Sequence, residues 1–245
     1  MPTVTRENVL DYYKRILDSK NIIVSVNGDV DTEKMIDVFG SILSEKNKPV
    51  FKFSDYKVTK LTSAKLVSKT LKDLQTAWLF LGWQTCKVTD KKDFVTLKIL
   101  NTLLGGGMSS RMYKNLREQD GLAYQLGSAY TPKALGGFFM TYIGTNPESL
   151  DYSREKIKSE IERLKMEFVS DSELQDAKDR LKGSFIIALE TNSEKASIVG
   201  LFETIGLGYN FLEEYVKMID EVTASDIIRV ANKYFNNIYV ESNIK

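Results

Sequence analysis

The chain has 245 residues, 42% of them apolar and 27% charged, with 34 basic against 33 acidic side chains and a formal net charge of +1. That balance suits a folded domain large enough to bury a core, and it lacks the basic footprint of a nucleic-acid binder or a polybasic membrane patch. One cysteine and no histidine exclude an internal disulfide, Ser-His-Asp and Cys-His catalysis, and any zinc site that needs imidazole. No apolar run approaches the roughly 18 residues of a membrane helix. The opening Met1-Pro2-Thr3-Val4-Thr5 has no basic or apolar signal region, so a cytoplasmic location is the expectation.

Thr5-Arg6-Glu7-Asn8 opens a helix whose apolar face, Val9, Tyr12, Tyr13 and Ile16, runs to about Leu17. Ile22 to Val26 is short and β-branched, a strand by pattern, and Asn27-Gly28-Asp29 turns the chain. Asp31 caps a second helix carrying Met35, Val38, Phe39 and Ile42. Ser44 to Lys57 is polar, includes Pro49 and has no helical period, so it reads as a linker. Lys65 to Leu71 and Thr76 to Trp83 read as strands, the second apolar on both faces and so central. Cys86 closes that strand and is expected to be a buried small residue.

Asp90 caps a helix with Phe94, Leu97, Leu100 and Leu104 on one face, ended by Gly105-Gly106-Gly107. A short helix follows from about Ser109 to Gln119, with Gly121 placed as its stop. Leu122 to Tyr130 and Gly137 to Thr145 read as paired strands. Asn146-Pro147 starts a helix with Leu150, Ile157, Ile161, Leu164 and Phe168 on its apolar side. Ser170 to Glu173 is a capping box, Ser193 caps another helix, Thr223 begins the last, and Ile238-Tyr239-Val240 closes the chain as a strand. Strands and helices are segregated, which predicts an α+β fold with an antiparallel-rich sheet and helices on one face. The pattern Thr5-x-x-Asn8-Val9-Leu10, followed by Asn21 and a strand, recurs as Thr223-x-x-Asp226-Ile227-Ile228, followed by Asn237 and a strand. A helix-then-strand unit therefore occurs twice, and the chain reads as the tail of one structural copy plus most of a second.

Three constellations could carry chemistry. The glycines of Leu104 to Arg111 precede a helix N-terminus but lack the Gly-Lys-Ser/Thr of a P-loop, so a tight interhelical connection is expected. Arg117 and Tyr124 lie seven residues apart on either side of Gly121. That spacing can place a guanidinium and a phenol on one side of a cleft, where both donate to a peptide carbonyl or oxyanion. By geometry alone, a surface arginine paired with an acid and a half-buried strand tyrosine is the more ordinary outcome. The set Glu155, Glu160, Glu162 and Glu167, interleaved with Lys156, Lys158, Arg163 and Lys165, reads as a solvated, salt-bridged helix face. Trp78, Phe80 and Trp83 are expected in the core.

The run Leu104-Gly105-Gly106-Gly107-Met108-Ser109-Ser110-Arg111-Met112-Tyr113-x-x-Leu116-Arg117-Glu118-x-x-Gly121-Leu122-Ala123-Tyr124 resembles the inactive-domain motif of the pitrilysin/insulinase-type zinc metallopeptidases, to which mitochondrial processing peptidase and its bacterial relatives belong. Asn21-x-x-Val24-x-x-Asn27-Gly28-Asp29-Val30-Asp31 is similar to the close of that family's first half, and the likeness extends over essentially the whole chain. The resemblance implies two homologous α+β halves facing across a cleft. One half holds zinc through H-x-x-E-H and a distal glutamate. The other contributes an arginine and a tyrosine, here Arg117 and Tyr124, that bind the substrate backbone and support the tetrahedral intermediate. H-x-x-E-H is absent, and Ile16 to Lys20 lacks the family's usual aromatic and proline.

The implied reading divides the chain into 1–46, the tail of a preceding homologous half plus the start of a linker, and 47–245, a C-terminal, zinc-free, substrate-binding domain. It is inactive alone and binds no cofactor. Its zinc lies on a partner half or subunit, its ligand is a peptide, and an unpaired edge invites self-association. The rivals are a structural or assembly subunit of the same fold and a small-molecule binding domain.

Overall fold

The computed structural model describes residues 3–17, 21–43 and 57–245. Most of the proposed linker, Ser44 to Lys57, and the departure at Asp18 to Lys20 lie outside them, as does the 46/47 boundary.

Two helices, α1 (Arg6–Ile16) and α2 (Thr32–Leu43), precede the body. The body runs β1 (Lys65–Lys69), β2 (Ala77–Gln84), α3 (Lys91–Leu104), a π-helix (Tyr113–Gln119), β3 (Gln125–Thr131) and β4 (Phe138–Thr145). A 3-10 turn (Pro147–Ser149) then leads into α4 (Leu150–Met166), α5 (Asp171–Ile187), α6 (Asn192–Thr204), α7 (Phe211–Glu221), α8 (Ala224–Tyr234) and β5 (Val240–Ile244).

The strands form one sheet in the order β1-β5-β2-β4-β3. All its pairings are antiparallel except β1 with β5. The predicted α+β class and antiparallel-rich sheet are what the protein adopts. β2 is the central strand, but its two faces differ. Ala77, Leu79, Leu81 and Trp83 are buried, whereas Trp78, Phe80, Gly82 and Gln84 are only half-buried. The helices cover one face, α3 against β3 and α4 against β2 and β4. Trp83 therefore belongs to the core, while Trp78 stacks on Phe80 at 5.9 Å on the other face.

The core lies between that covered face and α3, α4, α5, α7 and α8. Phe94, Tyr130, Phe139, Phe202, Phe211, Tyr215 and Phe235 form a chain of ring contacts through it, and Cys86 is buried beside Tyr130. Burial pushes both the Cys86 thiol and the Tyr130 phenol upward, so both stay neutral. Asp93, at the start of α3, ties the last helix down. It accepts from Arg229 (2.6 Å), Lys233 (2.7 Å) and Tyr234 (2.7 Å). Burial alone would raise Asp93, but these donors outweigh it and hold its carboxyl below the usual range.

Several elements differ from the sequence pattern. Ile22 to Val26 forms no strand and pairs with no described strand. α6 is capped by Thr191, not Ser193, through a reciprocal box with Glu194. The closing strand lies further on, at Val240–Ile244, because Asn243 and Ile244 pair with β2. Phe168 falls past the end of α4 and is exposed. Glu160 is buried rather than solvated, accepting from Asn115 at 2.7 Å.

The two similar helices have opposite environments. Thr5 and Asn8 bond each other reciprocally at the start of α1, as Thr223 and Asp226 do at the start of α8. On α1, Val9, Tyr12, Tyr13, Ile16 and Leu17 are 47–58% exposed. The residues at the matching positions around α8, Ile227, Val230, Ala231, Tyr234 and Phe235, are 0–9% exposed. The apolar stripe is the same, and among the described residues only the α8 copy has a body to pack on, helices α3 and α4. α2 has no buried residue, and with Val24, Val26 and Val30 it lines an apolar groove of about 270 Å³.

Candidate functional site

The site is built on the turn between the π-helix and β3. Gly121 adopts φ +63°, the left-handed conformation that favours glycine. Leu122 N–H donates to Leu116 O at 2.8 Å, and Asp120 N–H to Asn115 O at 3.1 Å. With Gly121 left-handed, these wide turns end the π-helix and reverse the chain directly into the sheet. Lys156 on α4 braces the turn through Asp120 at 2.9 Å.

Arg117 and Tyr124 flank this stop, and both are exposed. Arg117 pairs with no acid among the described residues; its guanidinium lies 5.1 Å from the Tyr113 ring centroid, a cation–π contact within the π-helix. Tyr124 is 64% exposed, so it is not the half-buried strand tyrosine of the ordinary reading. Its backbone N–H donates to Gly144 O at 3.0 Å, and its hydroxyl donates to Asn146 Oδ1 at 3.0 Å. No hydrogen bond joins Arg117 to Tyr124. Asn146 precedes the 3-10 turn, yet its side chain caps no backbone N–H. It serves the phenol instead, and only the fold, by setting β4 beside β3, reveals that partner.

The glycine corner sets the π-helix against the sheet. Gly105 O accepts from Ser128 N–H at 3.2 Å, and Ser128 Oγ donates to Asn101 Oδ1 at 2.9 Å. β3 is one of the two edge strands, and this corner satisfies part of its outer side. A Cβ on Gly105 would lie 2.3 Å from Ser128 N, so only glycine fits. The corner is thus the tight connection expected from sequence. Beyond it, Arg111 makes a bidentate pair with Glu173 at 2.6 and 2.7 Å. Glu173 N–H donates to Ser170 Oγ at 3.2 Å, but its carboxylate does not return to Ser170. Half of the predicted capping box is diverted to hold Arg111.

Among the described residues there is no group of three or more His, Cys, Asp or Glu side chains able to hold a metal ion. With no histidine in the sequence, the side chains present do not fit the family's zinc site.

The profile of the peptidase M16 inactive domain matches residues 3–181. An uncharacterized zinc protease of Rickettsia felis is 28% identical over 242 residues, covering 97% of this chain and 57% of the relative. A protease from Helicobacter pylori has a solved structure that matches with TM-score 0.88 and 25% identity, over 99% of this chain and 60% of that one. A peptidase M16 inactive domain from Pseudomonas fluorescens matches with TM-score 0.88 and 21% identity, over 99% and 58%. The chain therefore spans a little over half the length of these relatives. The profile match takes in the glycine corner, Arg117 and Tyr124 together, and the chain belongs to the peptidase M16 inactive-domain family.

Proposed function

We propose that this chain is the substrate-binding half of a zinc metallopeptidase, acting with a zinc site on another segment or subunit. The observation that carries it is the exposed pair Arg117 and Tyr124, displayed on either side of a hydrogen-bonded stop at the sheet edge. In this reading the guanidinium and the phenol donate to the carbonyl of the scissile peptide. They bind it and stabilise the charge that develops on its oxygen. The phenol hydroxyl leaves Asn146 to do so, and the amide holds it in place until then.

Residues 1–46 are the tail of the preceding half together with the start of a linker, and 47–245 the substrate domain. The exposed stripe of α1, matched position by position by the buried stripe of α8, supports that division. So does the unpaired segment Ile22 to Val26, which would find its neighbours in the missing sheet.

The test joins this chain, or mixes it, with the zinc-bearing half and measures zinc-dependent peptide cleavage. Tyr124→Phe and Arg117→Ala are each expected to lower turnover by about a hundredfold or more with melting temperatures unchanged. Wild-type turnover in both variants overturns the role of the pair. An assembled wild type that cleaves nothing points instead to the structural-subunit reading.

A further inference from the structure

A second polar site lies behind the glycine corner, away from Arg117 and Tyr124. A cavity of about 390 Å³ opens between the end of α3, the corner, the π-helix, α4 and the first turns of α5. Four cationic side chains, Arg111, Lys114, Arg163 and Arg180, line it against two acids, Glu173 and Asp176.

The charges do not close on one another. Glu173 is taken by Arg111, and Arg163 is held by Glu160 and Glu167, which lie outside the cavity lining. Lys114 and Arg180 meet no carboxylate among the described residues; Arg180 has only a 3.2 Å bond to Ser109 Oγ. Asp176, one turn before Arg180 on α5, is exposed and carries a single charge against those two. Arg111 Nη1 is buried with no hydrogen-bond partner. The α5 cap, Ser170 Oγ, is used by Glu173 N–H. The N–H groups of Asp171 and Ser172, at the positive end of a 17-residue helix, bond no other described group. The cavity therefore presents more donors than acceptors. The corner is shaped for one of them, since a Cβ on Gly107 would fall 2.0 Å from Arg180 Nη2.

We propose that this cavity binds a phosphate-class oxyanion, with room for a diphosphate group. Lys114, Arg180 and the α5 N-terminus supply the donors. The proposal does not depend on the peptidase reading, and its test uses the 245-residue chain alone.

The experiment titrates inorganic phosphate and pyrophosphate by calorimetry and thermal melting, against sodium chloride at matched ionic strength to remove general screening. The wild type is expected to show saturable binding and a melting temperature raised by about 2–4 °C near saturation, with pyrophosphate the tighter ligand. Lys114→Ala alters an exposed side chain with no partner, so the fold survives, and it should weaken binding several-fold. The double variant Lys114→Ala, Arg180→Ala should weaken it at least tenfold. No saturable binding by the wild type, or equal affinity in Lys114→Ala and the double variant, overturns the proposal.

Discussion

Gly105→Ala tests the packing of the glycine corner directly. The backbone at Gly105 has φ −150°, which any residue can adopt, so the cost is steric rather than conformational. The new methyl would sit 2.3 Å from Ser128 N and 2.7 Å from Gly127 C. Non-bonded heavy atoms prefer about 3.5 Å or more, so β3 would have to retreat by about 1 Å. That movement also strains two bonds, Ser128 N–H to Gly105 O and Ser128 Oγ to Asn101. Overpacking costs about 1–3 kcal/mol, and each lost bond about 1 kcal/mol. The sum is about 3–5 kcal/mol, equivalent to a melting temperature lower by about 10 °C in a chain of this size. Urea melts followed by circular dichroism measure it. Two other glycines provide controls. Gly121→Ala meets no atom within 4 Å but must hold φ +63°, and should cost about 1 kcal/mol. Gly183→Ala, within α5 and also free of close neighbours, should stabilise by about 0.5–1 kcal/mol. A Gly105→Ala protein that melts with the wild type would show that the corner is not rigid, and the reasoning would fail.

Other expectations follow from single contacts. Glu173→Ala strips the partner from a largely buried Arg111 and should destabilise by about 2 kcal/mol, read from denaturant midpoints. Burial alone would raise Asp226, but Lys92 and Thr223 outweigh it and depress its carboxyl to about 2. Its stabilisation is therefore complete above the ordinary aspartate value of about 3.9 and is lost as pH falls through about 2. Acid titration of Asp226→Asn should show a shallower loss across that window. Thr223→Ala removes a cap on a packed helix and should cost about 1 kcal/mol. Thr5→Ala removes the matching cap on the exposed α1 and should leave the main unfolding transition unmoved, since α1 buries no stripe against the body.

Much of the local grammar was legible, although the α6 cap is Thr191 and not Ser193 and Asp90 makes no side-chain cap bond. Thr5, Asp31, Ser170 and Thr223 act as caps because a side-chain oxygen three residues ahead of a free N–H needs no distant partner. Gly121 stops its helix for an equally local reason. The glycine corner and the Arg117/Tyr124 spacing could be read from sequence because the motif is long and contiguous. The π-helical winding at Tyr113–Gln119 could not, since no spacing rule separates it from an α-turn. Glu160, placed by charge pattern on a wet face, is buried because Asn115 arrives from a segment 45 residues away.

The sequence by itself determined most of the elements, the lack of an imidazole for zinc and the seven-residue spacing of Arg117 and Tyr124. Those depend on backbone geometry and on residues within a turn or two of each other. Only the tertiary structure decided that one face of the central strand stays open, that Tyr124 leans on Asn146, and that Glu173 abandons its own cap for Arg111. It also decided that the stripe on α1 is exposed while the one on α8 is sealed. Each of those outcomes depends on which distant surface arrives, and hydrophobic periodicity specifies a face without naming what will cover it.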